Sequence, residues 1–244
     1  MPRSHLRASV ALFALCLLFR PAIGADPNGP IHVEDYPGTV RVACVGDSIT
    51  AGVGAAGGAS YPAQLGKMLG GKWEVRNFGV SGSTLLNRGD LPYQKQQAFK
   101  AALAYNPQVV IVMLGTNDTK PQNWKFKDEF AADYKDLLDK FAKLSSKPRI
   151  FLCHPVPVPG SGNWGINDAG VKEEAPMIDK VAEEMKADVI DMYLALKDHP
   201  ETLPDKVHPN TAGATLMSKA AYKALTGKEP PAEASKTAPK AKAA

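Results

Sequence analysis

The chain has 244 residues, 44% of them hydrophobic and 22% charged, which is enough apolar content for one globular domain that needs no disulfide staples. Its formal charge of +4 sits at the ends: Arg3, Arg7 and Arg20 lie in the first 24 residues, and residues 228–244 hold four Lys against two Glu. The body between them carries 22 basic and 23 acidic residues, a balance that excludes the phosphate-neutralising surface of a nucleic-acid binder.

Residues 1–7 are basic and residues 8–19 (ASVALFALCLLF) form an apolar run too short to span a bilayer. Ala22 and Gly24 then place small residues at the −3 and −1 positions of a cleavage site. This is the layout of a secretory signal peptide cut after Gly24. The mature protein is expected to be secreted or periplasmic, with no stable membrane insertion. A single domain is expected over residues 25–227. Residues 228–244 are Lys/Pro/Ala-rich, contain no Ile, Leu, Val or aromatic residue, and read as a disordered tail.

Within the body, strand-like and helical patterns alternate. Residues 40–45 (VRVACV) read as a buried strand, 61–69 as a helix, 73–78 as an alternating strand and 93–105 as a helix. The unbroken apolar run at 109–114 (VVIVML) suits a strand covered on both faces. Phe130, Tyr134, Leu137, Leu138, Phe141 and Leu144 recur at steps of three and four and predict an amphipathic helix over 127–144. A strand at 149–153, a helix at 172–186, a strand at 187–192 and a helix at 211–225 complete the series. Such alternation predicts an α/β fold, a parallel sheet with helices on both faces. Cys44 and Cys153 fall in two strands that another strand should separate, so both are expected as free buried thiols. No Cys or His pair has metal-ligand spacing, and no cofactor is expected.

In a parallel sheet, function gathers beyond the carboxyl ends of the strands. Four polar loops fall there: Gly46-Asp47-Ser48, Asn77 through Thr84, Gly115-Thr116-Asn117-Asp118, and Asp205-Lys206-Val207-His208. Together they hold the parts for acyl transfer. Ser48 is a nucleophile that needs a base, and His208 can take its proton. Asp205 can hold the other ring nitrogen. Backbone N–H groups of Ser48 and Gly82 and the Asn117 side-chain amide can stabilise an oxyanion. Gly79 could replace Gly82 in that role. Ser48 alone also reads as a helix N-cap.

The order of these four blocks resembles the GDSL, or SGNH, hydrolase family over about residues 40–225. The resemblance implies a three-layer α/β/α sandwich with flavodoxin-like strand order 2-1-3-4-5. It assigns Ser48 as nucleophile, Asp205 and His208 as acid and base, and Gly82 and Asn117 as oxyanion donors. The flanking segments (NFGVSGSTLL, LGTNDTKPQNW, DKVHPN) resemble exported sialate and carbohydrate O-acetylesterases. That implies a carboxylic ester hydrolase acting on small-molecule or polysaccharide esters. A lysophospholipase or thioesterase of the same family, a non-catalytic carbohydrate-binding protein and a flavodoxin-like FMN binder are the alternatives.

Three further residues are candidates for substrate binding: Trp124 and Trp164, in loops on the same edge, and His154, which ends a strand there. Each tryptophan could stack on a sugar ring or anchor its loop. His154 is also a second candidate base, but has no Asp at a matching spacing. Gly52-Val53-Gly54-Ala55-Ala56-Gly57 fits the dinucleotide pattern G-x-G-x-x-G but does not follow a strand directly, and reads instead as a lip near Ser48.

Overall fold

The computed structural model describes residues 29–231. The expected signal segment at 1–24 and residues 232–244 of the expected tail lie outside the described residues. In chain order the elements are β1 (Val40–Gly46), α1 (Ser48–Ala51), α2 (Tyr61–Leu69), β2 (Trp73–Gly79), α3 (Gln97–Ala104), β3 (Val109–Met113) and α4 (Pro121–Trp124). They continue with α5 (Phe130–Ala142), β4 (Arg149–His154), α6 (Asp168–Met185), β5 (Asp188–Asp191), α7 (Met192–Leu196) and α8 (Thr211–Thr226).

The five strands form one parallel sheet in the order β2-β1-β3-β4-β5, as expected. The uninterrupted apolar strands make sense once the two faces are separated. Val109, Ile111 and Met113 point to one side, where Tyr61 and Leu65 of α2, Leu196 of α7 and Met217 of α8 cover them. Val110 and Val112, with Leu114, point to the other, against Phe99 of α3, Tyr134 and Phe141 of α5 and Ile178 of α6. With period two and both faces covered, every β3 side chain is buried.

Register fixes the functional edge. Gly46 pairs with both Gly79 and Met113, so the loops after β1, β2 and β3 leave the sheet at one level. Cys44 on β1 and Cys153 on β4 are buried and free, with β3 between them.

The helices differ from the periodic reading mainly at their starts. The expected helices at 93 and 127 open as single 3-10 turns, and α3 and α5 begin at Gln97 and Phe130. Helix α6 starts at Asp168 rather than 172, because the Asn167 side chain accepts a hydrogen bond from Gly170 N at 2.9 Å and caps it. The helices α1, α4 and α7 span four or five residues each, too few for an apolar period to register.

Candidate active site

Strand β1 ends at Gly46, and Asp47 turns the chain directly into α1. The Asp47 carboxylate accepts a hydrogen bond from Ile49 N at 2.9 Å, so Asp47 is the helix cap and Ser48 the first helical residue. This rules out the reading of Ser48 as an N-cap. Its hydroxyl stands at the edge of a cleft of about 240 Å³ and is 2.9 Å from His208 Nε2.

His208 approaches from the opposite end of the chain. Asn210 caps α8 by accepting from Ala212 N and Gly213 N, which anchors the residues just before it. Asp205 folds the preceding turn. Its Oδ1 accepts from Val207 N at 2.9 Å and His208 N at 2.7 Å, and its Oδ2 lies 2.8 Å from His208 Nδ1. Burial opposes ionisation of Asp205, but the two backbone N–H groups and the imidazole outweigh it, and the carboxyl is held below the ordinary carboxylate range. With an ionised Asp205 at Nδ1, the proton on the ring resides there, and Nε2 is left to accept from Ser48 Oγ.

The loops after β2 and β3 close the cleft. Gly82 lines it with φ +82°, a backbone region that favours glycine, and its N–H donates to no protein acceptor among the described residues. Gly79 N, by contrast, donates to the Asn77 side chain at 2.9 Å and is not free. Asn117 is buried at the cleft wall. Its amide nitrogen donates to Ser83 O at 3.1 Å and, more weakly, to Asp47 Oδ2 at 3.4 Å. Burial pushes the Asp47 carboxyl up to about 6 against the opposing hydrogen bonds from Ile49 and Thr116 and the charge of His208.

The candidate substrate residues separate. Trp164 lines the cleft, is 57% exposed, and holds its ring 5.5 Å from that of His208. Its loop is fastened to the His208 loop by Asn163 Nδ2 donating to Asp205 O and by Lys206 Nζ donating to Ser161 Oγ. Ile166 and Val207 pack together with Val158 and Val171 beneath it.

Trp124 does not line the cleft. The short α4 swings it onto Phe130, ring edge to face, and its indole N–H donates to Glu173 at 2.7 Å. His154 is also absent from the cleft. Two carboxylates distant in sequence hold it on the flank, Asp179 of α6 at 2.8 Å and Asp191 of β5 at 3.5 Å. Both readings as substrate contacts in the Ser48 cleft are therefore corrected.

Of the 52–57 segment, Val53 lines the cleft. Ser81, Thr116 and Lys120 also line the cleft and were not singled out. Their only sequence signal was membership of, or adjacency to, the motif blocks. Among the described residues no cluster of three or more His, Cys, Asp or Glu is arranged to hold a metal ion.

The model of the GDSL-like lipase/acylhydrolase family matches residues 44–216, a span that begins on β1 and ends within α8 and so contains all four loops. The chain belongs to that family. Among curated relatives it is 39% identical over 211 residues to an acetylxylan esterase of Xylanibacter ruminicola, covering 78% of this chain and 43% of that protein. It is 26% identical over 233 residues to a multidomain esterase of Ruminococcus flavefaciens, covering 79% of this chain and 29% of that one. The chain thus spans less than half the length of these relatives. A solved carbohydrate acetylesterase from Sinorhizobium meliloti shares the fold at a TM-score of 0.60 and 21% identity, over 76% of this chain and 97% of its own. The strand order expected of GDSL/SGNH proteins is the one found.

Proposed function

We propose that this chain is a serine esterase that removes O-acetyl groups from carbohydrate, with acetylated xylan as the first substrate class to test. The observation that carries the reading is the continuous chain from Asp205 Oδ2 through the His208 ring to Ser48 Oγ, with contacts of 2.8 and 2.9 Å, at the wall of a small cleft. Membership of an acylhydrolase family supports it, and the 39% identity to an acetylxylan esterase supports the choice of sugar polymer.

In the proposed mechanism Ser48 Oγ attacks the acetyl carbonyl carbon as its proton passes to His208 Nε2. The resulting oxyanion is stabilised by the N–H groups of Ser48 and Gly82 and by the Asn117 amide. Each such donor is worth roughly 2.7–4 kcal/mol in the transition state. The tetrahedral carbon then expels the sugar oxygen, which takes the proton back from His208. Water, deprotonated by the same imidazole, attacks the acyl-enzyme and frees acetate and Ser48. Trp164 offers an exposed ring at the mouth on which the sugar of the leaving group stacks. Residues 1–24 direct export, which would bring the enzyme to a polymeric substrate.

The test is Ser48→Ala against acetylated xylan, O-acetylated sialic acid and a ladder of p-nitrophenyl esters. Loss of all hydrolysis with unchanged circular dichroism is expected, and the wild-type ladder should peak at acetate. Full activity of the variant would overturn the assignment. A peak beyond eight carbons would move it to the lysophospholipase or thioesterase alternative.

A further inference from the structure

A third buried acid, beside Asp47 and Asp118, has no part in the mechanism above. Glu174 lies on the apolar stripe of α6 between Val171 and Ile178, fully buried. Neither of its carboxyl oxygens has a hydrogen-bond partner among the described residues. Burying a carboxyl without partners costs several kcal/mol, so a leucine would be the cheaper occupant of that stripe.

The neighbourhood suggests what the acid is for. Its carboxyl lies flat behind Gly115, the first residue of the turn that carries Asn117. A Cβ on Gly115 would sit 2.6 Å from Glu174 Oε2 and 3.1 Å from its Cδ, and Gly115 has φ +128°. The same turn is gripped on its other sides. Gly115 O accepts from Asp118 N at 2.7 Å, Asn123 Nδ2 donates to Asn117 O at 2.9 Å, and Asp118 accepts from Leu85 N and Leu86 N. Among the described residues no hydrogen bond ties this turn to α6, and Glu174 fills that face.

We propose that Glu174 is a positioning residue: its thin, planar carboxyl sets the height of the Gly115–Asn117 turn and so aims the Asn117 amide at the reacting carbonyl. This rests on the reading of Asn117 as an oxyanion donor. The group acts as the neutral acid. Asp47 and Asp118 lie nearby, both of those have N–H donors, and Glu174 has none; burial and these two carboxylates together push it well above the ordinary range. Glutamine copies the plane and the neutrality. Leucine carries two tetrahedral methyls where the plane lies, and alanine leaves the turn unsupported.

The experiment measures kcat and KM for p-nitrophenyl acetate with Glu174→Gln, Glu174→Leu and Glu174→Ala. The Leu and Ala changes are also placed on Asn117→Ala. Glu174→Gln should keep kcat within about threefold of wild type, while Leu and Ala lower kcat by roughly tenfold to a hundredfold with KM little changed. On Asn117→Ala the same changes should cost less than about twofold, because the group they misplace is already gone.

Equal losses in both backgrounds, an unaltered kcat in folded Glu174→Leu or Glu174→Ala, or a large loss in Glu174→Gln would overturn the proposal. Should neither Leu nor Ala fold, the Gln variant decides alone. If Asn117→Ala itself keeps wild-type kcat, the oxyanion reading falls and this inference with it. If Asn117→Ala loses kcat and the Glu174 changes do not, only the positioning role falls.

Discussion

Replacing Asp205 with Asn separates the electrostatic part of the proposed triad from its scaffolding. Asp205 performs two tasks with two oxygens. Oδ1 holds the turn through Val207 N and His208 N, and Oδ2 faces His208 Nδ1 at 2.8 Å. Asparagine keeps a carbonyl oxygen for the two backbone donors and presents NH2 to the ring. An NH2 group donates, so Nδ1 must become the acceptor and the ring proton moves to Nε2. His208 then offers Ser48 a donor instead of a base, although every heavy atom remains in place. A tautomer error of this kind costs about 10⁴ in kcat, or about 5 kcal/mol of transition-state stabilisation.

The assay is p-nitrophenyl acetate hydrolysis at neutral pH with thermal unfolding in parallel. Asp205→Asn should lose nearly all turnover with its melting temperature little changed. Asp205→Ala, which also removes the acceptor of the Val207 and His208 backbone N–H groups, should lose both. If Asp205→Asn kept more than a tenth of wild-type kcat, the ring would be oriented by something else and the assigned role would be wrong.

Three other outcomes follow from the same structure. Trp164→Ala should lower kcat/KM on acetylated xylo-oligosaccharides about fivefold, the worth of roughly 1 kcal/mol of aromatic contact, while triacetin hydrolysis stays within twofold; equal losses on both would assign the ring to the cleft itself. Glu174 should make stability pH-dependent. Its native carboxyl, raised by burial and by Asp118, Asp47 and Glu173, keeps a proton that the unfolded chain releases near its ordinary value. Unfolding therefore releases a proton, and this group lowers stability by about 1.4 kcal/mol per pH unit above roughly 4.5 until it ionises. Asp118, pushed up to about 7 by burial, acts in the same direction. Urea unfolding at pH 5, 6 and 7 should show Glu174→Gln gaining on the wild type as pH rises; parallel pH dependences would refute the neutral acid. Cys44, pushed up to about 12 by burial, and Cys153 should resist thiol reagents until the protein unfolds, and labelling of the native state at the unfolded rate would contradict the packing of β1 and β4.

The fold was legible because its signals are long and redundant. Five apolar or alternating runs and five amphipathic stretches each carry several residues of period, and one misplaced residue changes nothing. The boundaries were less legible where capping competes with periodicity. Asn167 starts α6 ahead of its apolar stripe, and Tyr93–Lys95 tightens into a 3-10 turn before α3. The candidate triad was visible for a different reason. Asp205 and His208 share one turn, so three residues of spacing encode their contact, and Ser48 follows a strand end that fixes its level in the sheet.

The residues that were misplaced or missed depend on contacts between segments far apart in sequence. Trp124 has a loop sequence as suited to a sugar platform as that of Trp164. What separates them is Glu173 and Phe130, which draw one indole to the flank, and the ties from Asn163 and Lys206, which hold the other beside His208. His154 looked unpaired because its two aspartates come from α6 and β5. Glu174 did leave a trace, a carboxyl at an interior position of the Val171–Ile178–Val181 stripe. A buried stripe tolerates an acid only where something compensates its cost. In this fold the first turns of α6 pack behind the loop after β3, as Gly170 against Thr119 and Glu174 against Gly115 both attest. A polar intrusion in that stripe is therefore aimed at the edge of the sheet that carries the candidate site by topology, before any distance is known.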